Sequence, residues 1–118
     1  DLSGTRTEAT GLSSSTRGII AGGDGDGTPT AINIIEYITI ASTSGTTDFG
    51  DLTVTRLNLA SASDSTTGIF AGGQAPSDSN VIDFITIAST GDASDFGDLT
   101  AARRGLVGTS DSHGGLQA

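Results

Sequence analysis

Three features of the sequence contain residue types that carry out chemistry in proteins. The stretch GGDGDG at 22–27 places two carboxylates in a glycine-rich segment. The word DFGDL, which also holds two carboxylates, occurs at 48–52 and again at 95–99. The single histidine, His113, lies beside an acid and a serine within SDSHGG. These features suggest three chemistries to weigh: binding of a phosphate or a metal ion, a repeated acidic site, and nucleophilic catalysis.

The glycine-rich stretch does not fit a phosphate-binding loop. Such a loop needs the N-terminus of a helix after it, and here an apolar, strand-like run follows. Asp24 and Asp26 alternate as calcium ligands do, but the twelfth position of a calcium loop would be Ile35 rather than an acid. We therefore interpret residues 24–32 as a solvated hairpin turn, leave calcium binding by the two aspartates open, and predict no cofactor.

The recurring acids and arginines are interpreted as structural. A single active site needs no copy in every repeat, whereas aspartates that cap turns and an arginine paired with a neighbouring acid belong in each one. A repeated ligand pocket is the alternative. His113 has no second histidine to work with, and sequence neighbours rarely face one another as a triad does, so no catalytic role is predicted. The recurring residues are Arg6, Arg56 and Arg103, and Asp48, Asp51, Asp95 and Asp98.

The reason for the recurrence is an internal repeat of about 47–50 residues. Residues 1–23 align without a gap onto 51–73, and residues 33–50 align onto 80–97, with 23 of the 41 paired positions identical. The sequence therefore predicts one repeat domain over 1–118, with repeat 1 at 1–50, repeat 2 at 51–97 and a partial repeat 3 at 98–118.

Composition predicts an all-β chain. Glycine, serine, threonine and aspartate are abundant and disfavour helices, while isoleucine, leucine and valine cluster in short runs that suit strands. Each repeat shows four such runs, which for repeat 1 are 17–23, 33–41, 48–56 and 57–63. Four strands in a unit of this length are typical of a β-propeller blade.

The net charge of −9, with five arginines as the permanent cations, argues against nucleic acid as a partner. No run approaches the roughly 18 apolar residues that a membrane-spanning helix needs, so membrane insertion is not predicted. The absence of cysteine excludes disulfide bonds and thiolate metal sites.

The order of landmarks resembles the kelch repeat of β-propellers. Each unit has an arginine, then a short apolar strand with a glycine pair, an acidic–aromatic strand and a second aromatic, although phenylalanine stands where kelch repeats usually have tryptophan. The resemblance implies kelch-like blades of four antiparallel strands. The glycine pairs are Gly22–Gly23 and Gly72–Gly73, the acidic–aromatic pairs are Glu36–Tyr37 and Asp83–Phe84, and the second aromatics are Phe49 and Phe96.

The wording IASTGDASDFGDLTAAR at 87–103, followed by SHGGL at 112–116, is similar to tandem repeats in predicted tail-associated or fibre-like proteins of marine phages. That resemblance implies a non-enzymatic structural or adhesive module of a virion appendage, located on a virion or outside the cell. Its partners would be protein, with a host-surface glycan as a candidate ligand. The alternatives are a lectin or enzyme domain on a propeller whose active blades lie outside this chain, and an architectural fibre repeat that stacks without closing a ring.

Two structural expectations follow from the repeat. We expect Phe49 and Phe96 to be buried equivalents, because both stand at the motif position that kelch gives to tryptophan. If a blade runs from its inner strand outward, residues 18–67 form one blade and 68–113 the next, which leaves a strand near 7–16 spare. The chain would then be part of a longer propeller or a subunit of a homo-oligomer.

Overall fold

The computed structural model describes residues 1–25 and 30–110, and within these residues all regular structure is β. Ten strands form two four-stranded antiparallel sheets and one two-stranded sheet. This confirms the prediction of an all-β chain, and it agrees with a composition that disfavours helices throughout. No helical segment with the length and hydropathy to span a bilayer occurs among the described residues.

The first four-stranded sheet has the order β2-β3-β5-β6, in which neighbours along the chain are neighbours in space apart from the small strand β4 (Asp24–Gly25). Its third strand is the most apolar stretch of the repeat and lies inside the sheet, as a run rich in β-branched residues should. The strands are β2 (Thr10–Ser13), β3 (Arg17–Ala21), β5 (Ile34–Thr39) and β6 (Thr47–Asp51).

The second four-stranded sheet repeats this arrangement with the order β10-β9-β8-β7. The strand pairing is the same in both sheets, since Ile19 pairs with Tyr37 in the first and Ile69 pairs with Phe84 in the second. The strands are β7 (Ala60–Ser63), β8 (Thr67–Ala71), β9 (Val81–Thr86) and β10 (Ser94–Asp98).

The grouping of strands differs from the expected blade limits. The expectation placed 57–63 in the first blade and left the strand near 7–16 spare, whereas β7 opens the second sheet and β2 is the first strand of the first sheet. Tight turns of three residues join β2 to β3 and β7 to β8, and such short connections favour pairing of the two strands they join. The predicted limits of 18–67 and 68–113 were therefore wrong.

The repeated word DFGDL forms a β-bulge at the outer strand of each sheet. Asp48 pairs with Glu36 and Gly50 pairs with Ile35, so the intervening Phe49 has no partner in the register. The second sheet has the same irregularity between Asp95 and Gly97. Gly50 and Gly97 have φ angles of 144° and 142°, which glycine adopts at low cost. The bulge explains why this sequence of residue types occurs twice.

The core lies between the two four-stranded sheets. One face of the first sheet presents Leu12, Ile19, Ala21, Ile35 and Phe49, all of which are buried. The facing side of the second sheet contributes Phe70 and Ile85, which are also buried. The first strands of the two sheets, β2 and β7, approach most closely, and Ser61 Oγ donates a hydrogen bond of 2.7 Å to the carbonyl of Gly11.

A two-stranded sheet joins the segment before β2 to the loop after β3. It consists of β1 (Arg6–Thr7) and β4 (Asp24–Gly25), with Thr7 paired to Asp24. The second repeat keeps one bridge of this kind, between Leu57 and Gln74. In both repeats, the segment that leads into the first strand is thus tied to the loop after the second strand.

Candidate functional site

Arg56, in the linker of residues 52–59 that joins the two sheets, is one of two charged side chains of the described chain with no exposed surface. Its guanidinium lies 2.7 Å from Asp83 Oδ2, and both side chains have no exposed surface. It also donates hydrogen bonds to the carbonyls of Gly72 and Val81, at 2.9 and 2.8 Å. The linker therefore inserts a cation into the second sheet, where a carboxylate and two carbonyls stabilise it.

Asp83 is satisfied from the same linker. Thr53 donates to it twice, from its backbone N–H at 3.1 Å and from its hydroxyl at 2.6 Å. Burial lowers the pKa of Arg56, and the charge and hydrogen bond of Asp83 offset only part of that lowering. Because the pKa of arginine starts far above neutrality, the guanidinium stays protonated at physiological pH.

The first repeat contains an equivalent ion pair between Arg6 and Glu36, with both side chains almost fully buried. Glu36 also accepts hydrogen bonds from the Ser3 N–H at 3.1 Å and the Thr46 hydroxyl at 2.8 Å. Burial raises the pKa of Glu36, but the hydrogen bonds from Ser3 and Thr46 and the charge of Arg6 together hold it below its usual value. Two buried ion pairs thus stand at matching positions of the fold.

Each glycine pair lies against the segment that follows the outer strand of a sheet: the linker 52–59 for Gly22–Gly23, and the residues around Arg103 for Gly72–Gly73. Gly23 donates its N–H to the Arg56 carbonyl at 2.8 Å, and Gly73 does the same to Arg103 at 2.9 Å. The four glycines have φ angles between 63° and 103°. A Cβ on Gly22 would lie 2.6 Å from the carbonyl oxygen of Arg56, a distance at which backbone would have to move. The glycine pairs therefore allow the close passage of the linker.

The arginines do not pair with the acids of the repeated word. Their partners are Glu36 and Asp83, on the third strand of the next sheet, and sequence reasoning had noted these two only as landmarks. The signal available in the sequence was an acid followed directly by an aromatic at the same position of each repeat, Glu36–Tyr37 and Asp83–Phe84. The acids Asp48, Asp51, Asp95 and Asp98 are all exposed.

One of these exposed acids has a local structural role: Asp95 accepts a hydrogen bond of 3.2 Å from the Gly97 N–H inside the bulge.

Arg17 was not among the residues predicted from the sequence, because the second repeat has threonine at the equivalent position. Its guanidinium lies 4.5 Å from the centre of the Tyr37 ring and donates to the Ile87 carbonyl at 2.8 Å, which joins the two sheets.

The two phenylalanines of the repeated word differ in exposure. Phe49 is 2% exposed, as expected, but Phe96 is 64% exposed, so the prediction that both are buried was wrong for Phe96. Each ring makes the same edge-on contact with the aromatic of the neighbouring strand, Tyr37 or Phe84, at 6.0 Å between centroids. The difference arises because the second sheet covers Phe49, and no described residue covers Phe96 in that way.

Arg103 departs from the other recurring arginines. Its backbone occupies the position of Arg56, since its N–H donates to the Ser79 carbonyl at 3.1 Å just as the Arg56 N–H donates to Ile32. Its side chain is exposed and has no ion-pair or hydrogen-bond partner within the described residues.

A polar cleft of about 770 Å³, here called the loop cleft, lies where the linkers meet the loops after the second strands. Asn58 Nδ2 donates to Glu8 Oε2 at 3.1 Å across it, and both residues have φ angles near 55°, in the left-handed region. Arg104 and Asp78 form an exposed ion pair at the same end, with 3.5 Å between N and O atoms. Residues that line the loop cleft include Glu8, Asp24, Leu57, Asn58, Gln74, Pro76 and Arg104.

Asp24, one of the two candidate calcium ligands, has a structural role in its own loop. It accepts a hydrogen bond of 2.8 Å from the Thr30 N–H and so caps that loop. Among residues 1–25 and 30–110, no group of three or more acids or histidines is placed to hold a metal ion. Asp26, the second aspartate of the calcium alternative, and His113 lie outside the described residues.

No protein-family model matches the sequence, and no curated protein matches it. The function is therefore argued from the geometry and chemistry of the site itself.

Proposed function

We propose that the chain is a non-enzymatic structural and adhesive module of a virion appendage, such as a tail or fibre, that presents loops to a host-surface glycan. One observation carries the proposal: the framework is the same in both repeats, whereas the residues of the loop cleft differ. A scaffold that keeps its frame and varies its loops is typical of recognition proteins.

The constant part comprises the buried ion pairs, the glycine pairs and the bulges, which make matching contacts in both repeats. In the loop cleft, by contrast, Glu8 has Asn58 as its equivalent and Asp24 has Gln74. Positive φ angles at Glu8 and Asn58 cost energy that glycine would not incur, and such conformations often occur at binding sites. The strain is greater for glutamate than for asparagine, which tolerates this region.

The chemistry of the loop cleft suits a neutral, polyhydroxylated ligand. Carboxylates and amides from Glu8, Asn58 and Gln74 accept and donate hydrogen bonds to hydroxyl groups, while Leu57 and Pro76 supply apolar surface. The net charge of −9 disfavours anionic ligands such as nucleic acid. A neutral glycan fits both conditions.

For the assembly, we propose that each four-stranded sheet is a kelch-like propeller blade. The contact between β2 and β7 supports this, because the first strands of propeller blades lie near a common axis. The location on a virion or outside the cell is proposed from the resemblance of the repeat wording to tail-associated and fibre-like proteins.

The proposal is tested by titrating the isotope-labelled protein with neutral tetrasaccharides such as maltotetraose, cellotetraose and chitotetraose. We expect amide shifts around Asn58 and Gln74, lost in the double variant Asn58→Ala/Gln74→Ala. The control is Asp48→Asn, an exposed change outside the loop cleft, which should bind like the unmodified protein. Absence of shifts with all three sugars, or equal binding by the double variant, would contradict a glycan site in the loop cleft.

A further inference from the structure

We propose that the outward face of the second sheet docks a further four-stranded unit of this repeat, one that carries a carboxylate at the position of Asp83. The outward face is the side of that sheet turned away from the first sheet, and it presents Ala62, Ile69, Ala71, Ile82 and Phe96. This inference does not depend on glycan binding.

Burial differs between equivalent positions of the two sheets. In the first sheet the same five positions hold Leu12, Ile19, Ala21, Ile35 and Phe49, which are all buried against the second sheet. On the outward face none of the five is buried, and Phe96 is the most exposed. A row of apolar residues whose counterparts are covered by a sheet indicates that a sheet fits here as well.

The backbone at the outer edge also differs between the two sheets. The carbonyls of Phe49 and Asp51 accept hydrogen bonds from the Gly91 and Ala93 N–H groups, at 2.7 and 2.8 Å, in the hairpin of the second sheet. The Asp51 N–H also donates to Asp92 Oδ1 at 3.0 Å. The equivalent carbonyls on β10 receive no hydrogen bond from outside their sheet within the described residues. They are available to the same hairpin of another unit.

Arg103 specifies the charge that the docking unit must carry. Arg6 and Arg56 each enter the following sheet and pair with an acid on its third strand, Glu36 or Asp83. The backbone of Arg103 is fixed in the same position, but its side chain remains exposed. A unit that seats on the outward face would receive this guanidinium in its interior, where an unpaired cation is costly. The partner therefore requires a carboxylate there.

Residues 109–110 indicate where the first strand of such a unit would lie. Ser110 Oγ accepts a hydrogen bond of 2.7 Å from the Ser63 N–H, so residues near 110 lie along β7 as β7 lies along β2. A cavity of about 590 Å³ remains between Thr109, Ser110, Ile69 and Phe96. The further unit would fill this space.

A second copy of the chain does not fit as the occupant. Its first sheet would have to offer Glu36 to Arg103, but Glu36 is already paired with Arg6 of its own chain. The hairpin of that sheet is also engaged, because the Thr46 N–H donates to the Asp1 carbonyl at 2.9 Å. The docking unit must therefore have a free carboxylate and a free hairpin.

The test extends the full chain by a second copy of residues 72–98 after Ala118, since 111–118 correspond in sequence to 64–71. A second version adds Gln117→Phe, which restores the aromatic that Phe70 supplies in the second sheet. Urea unfolding is measured for the original and extended chains, each with and without Arg103→Gln and Phe96→Ala.

We expect both substitutions to leave the urea midpoint of the original chain nearly unchanged and to lower that of the extended chain. The decrease for Arg103→Gln should be at least half of that caused by Arg56→Gln. Hydrogen exchange at the Asp98 amide should slow at least tenfold in the extended chain. The matched control changes the added copy of Asp83 to asparagine, which should remove the effect of Arg103→Gln.

Three results would overturn the proposal, two of them in the extended chains and one in the original chain. In the first, the added residues stay unfolded in both extended versions. In the second, the substitutions have the same effect in the original and extended chains. In the third, the original chain forms a concentration-dependent dimer in sedimentation that Arg103→Gln abolishes, which would make a second copy the occupant.

Discussion

Arg56 and Asp83 form an ion pair of 2.7 Å with no exposed surface on either side chain, although one lies in a linker and the other on β9. The linker that follows the first sheet therefore places its Arg56 side chain in the interior of the second sheet. The carboxylate that receives it is bonded at the same time to Thr53 of that linker. Polar contacts as well as apolar packing therefore hold the linker against the second sheet.

Breaking this pair should be strongly destabilising. Arg56→Met leaves the Asp83 carboxylate buried and unpaired, and we expect a loss of about 3–5 kcal/mol in the free energy of unfolding. The double variant Arg56→Met/Asp83→Leu should recover much of that loss, because no buried charge remains. Arg104→Met, which removes an exposed ion pair, is the control and should cost under about 1 kcal/mol. Urea unfolding followed by circular dichroism measures all three, and equal losses for Arg56→Met and Arg104→Met would contradict the role of burial.

The two phenylalanines of the repeated word should differ in the same assay. Phe49→Ala removes a buried ring and is expected to cost about 3–5 kcal/mol. Phe96→Ala removes a mostly exposed ring and should cost under about 1 kcal/mol, in line with other surface changes. A large loss for Phe96→Ala at protein concentrations where the chain is monomeric would be inconsistent with its exposure.

The ion pair of the first repeat should make stability depend on pH. The folded-state pKa of Glu36 is held below its ordinary value of 4.5, so the unfolded chain takes up this proton first as the pH falls. The stability that Glu36 contributes is therefore complete above pH 4.5 and is lost as the pH falls towards the folded-state pKa. Urea unfolding of the unmodified protein and Glu36→Gln between about pH 7 and 3 isolates this contribution. Their difference should shrink below pH 4.5, and a difference that stayed constant or grew would count against it.

The glycine pair should tolerate no side chain. Gly22→Ala would place a Cβ 2.6 Å from the Arg56 carbonyl oxygen at a φ of 63°, so both contact and backbone oppose it. We expect a loss of more than about 1 kcal/mol, because alanine destabilises where φ is positive. Gly4→Ala is the control, since nothing lies within 4 Å of the place that a Cβ would take there, and its melting temperature should remain near that of the unmodified protein. Similar melting temperatures for both variants would exclude a steric role for Gly22.

Local patterns in the sequence were sufficient for the all-β fold and for the four strand segments of each period. The glycine pairs and the bulge word recur with the backbone angles that require glycine, so their recurrence was a reliable signal of structure. The grouping of strands was not predictable in this way, because a periodic sequence leaves open where one sheet ends. The three-residue turn before Arg17 decided it, by pairing β2 with β3.

The partners of the arginines were not predictable from spacing either. Arg56 and Asp83 are 27 residues apart, and the acids nearest in the repeated word are exposed. Equivalence in sequence also predicted equal burial for Phe49 and Phe96, but burial depends on what covers a residue, and the two sheets have different neighbours. The loop cleft has no motif because its residues come from several loops and differ between repeats.

The bulge at the end of β10 has a consequence for solubility. An open sheet edge ordinarily invites another strand and can start aggregation. Here the edge is interrupted between Asp95 and Gly97, and the carboxylates of Asp95 and Asp98 are both exposed along it. Two such edges would bring like charges together and could not align their backbones continuously. The interrupted backbone and the like charges therefore act together against edge-to-edge aggregation at β10.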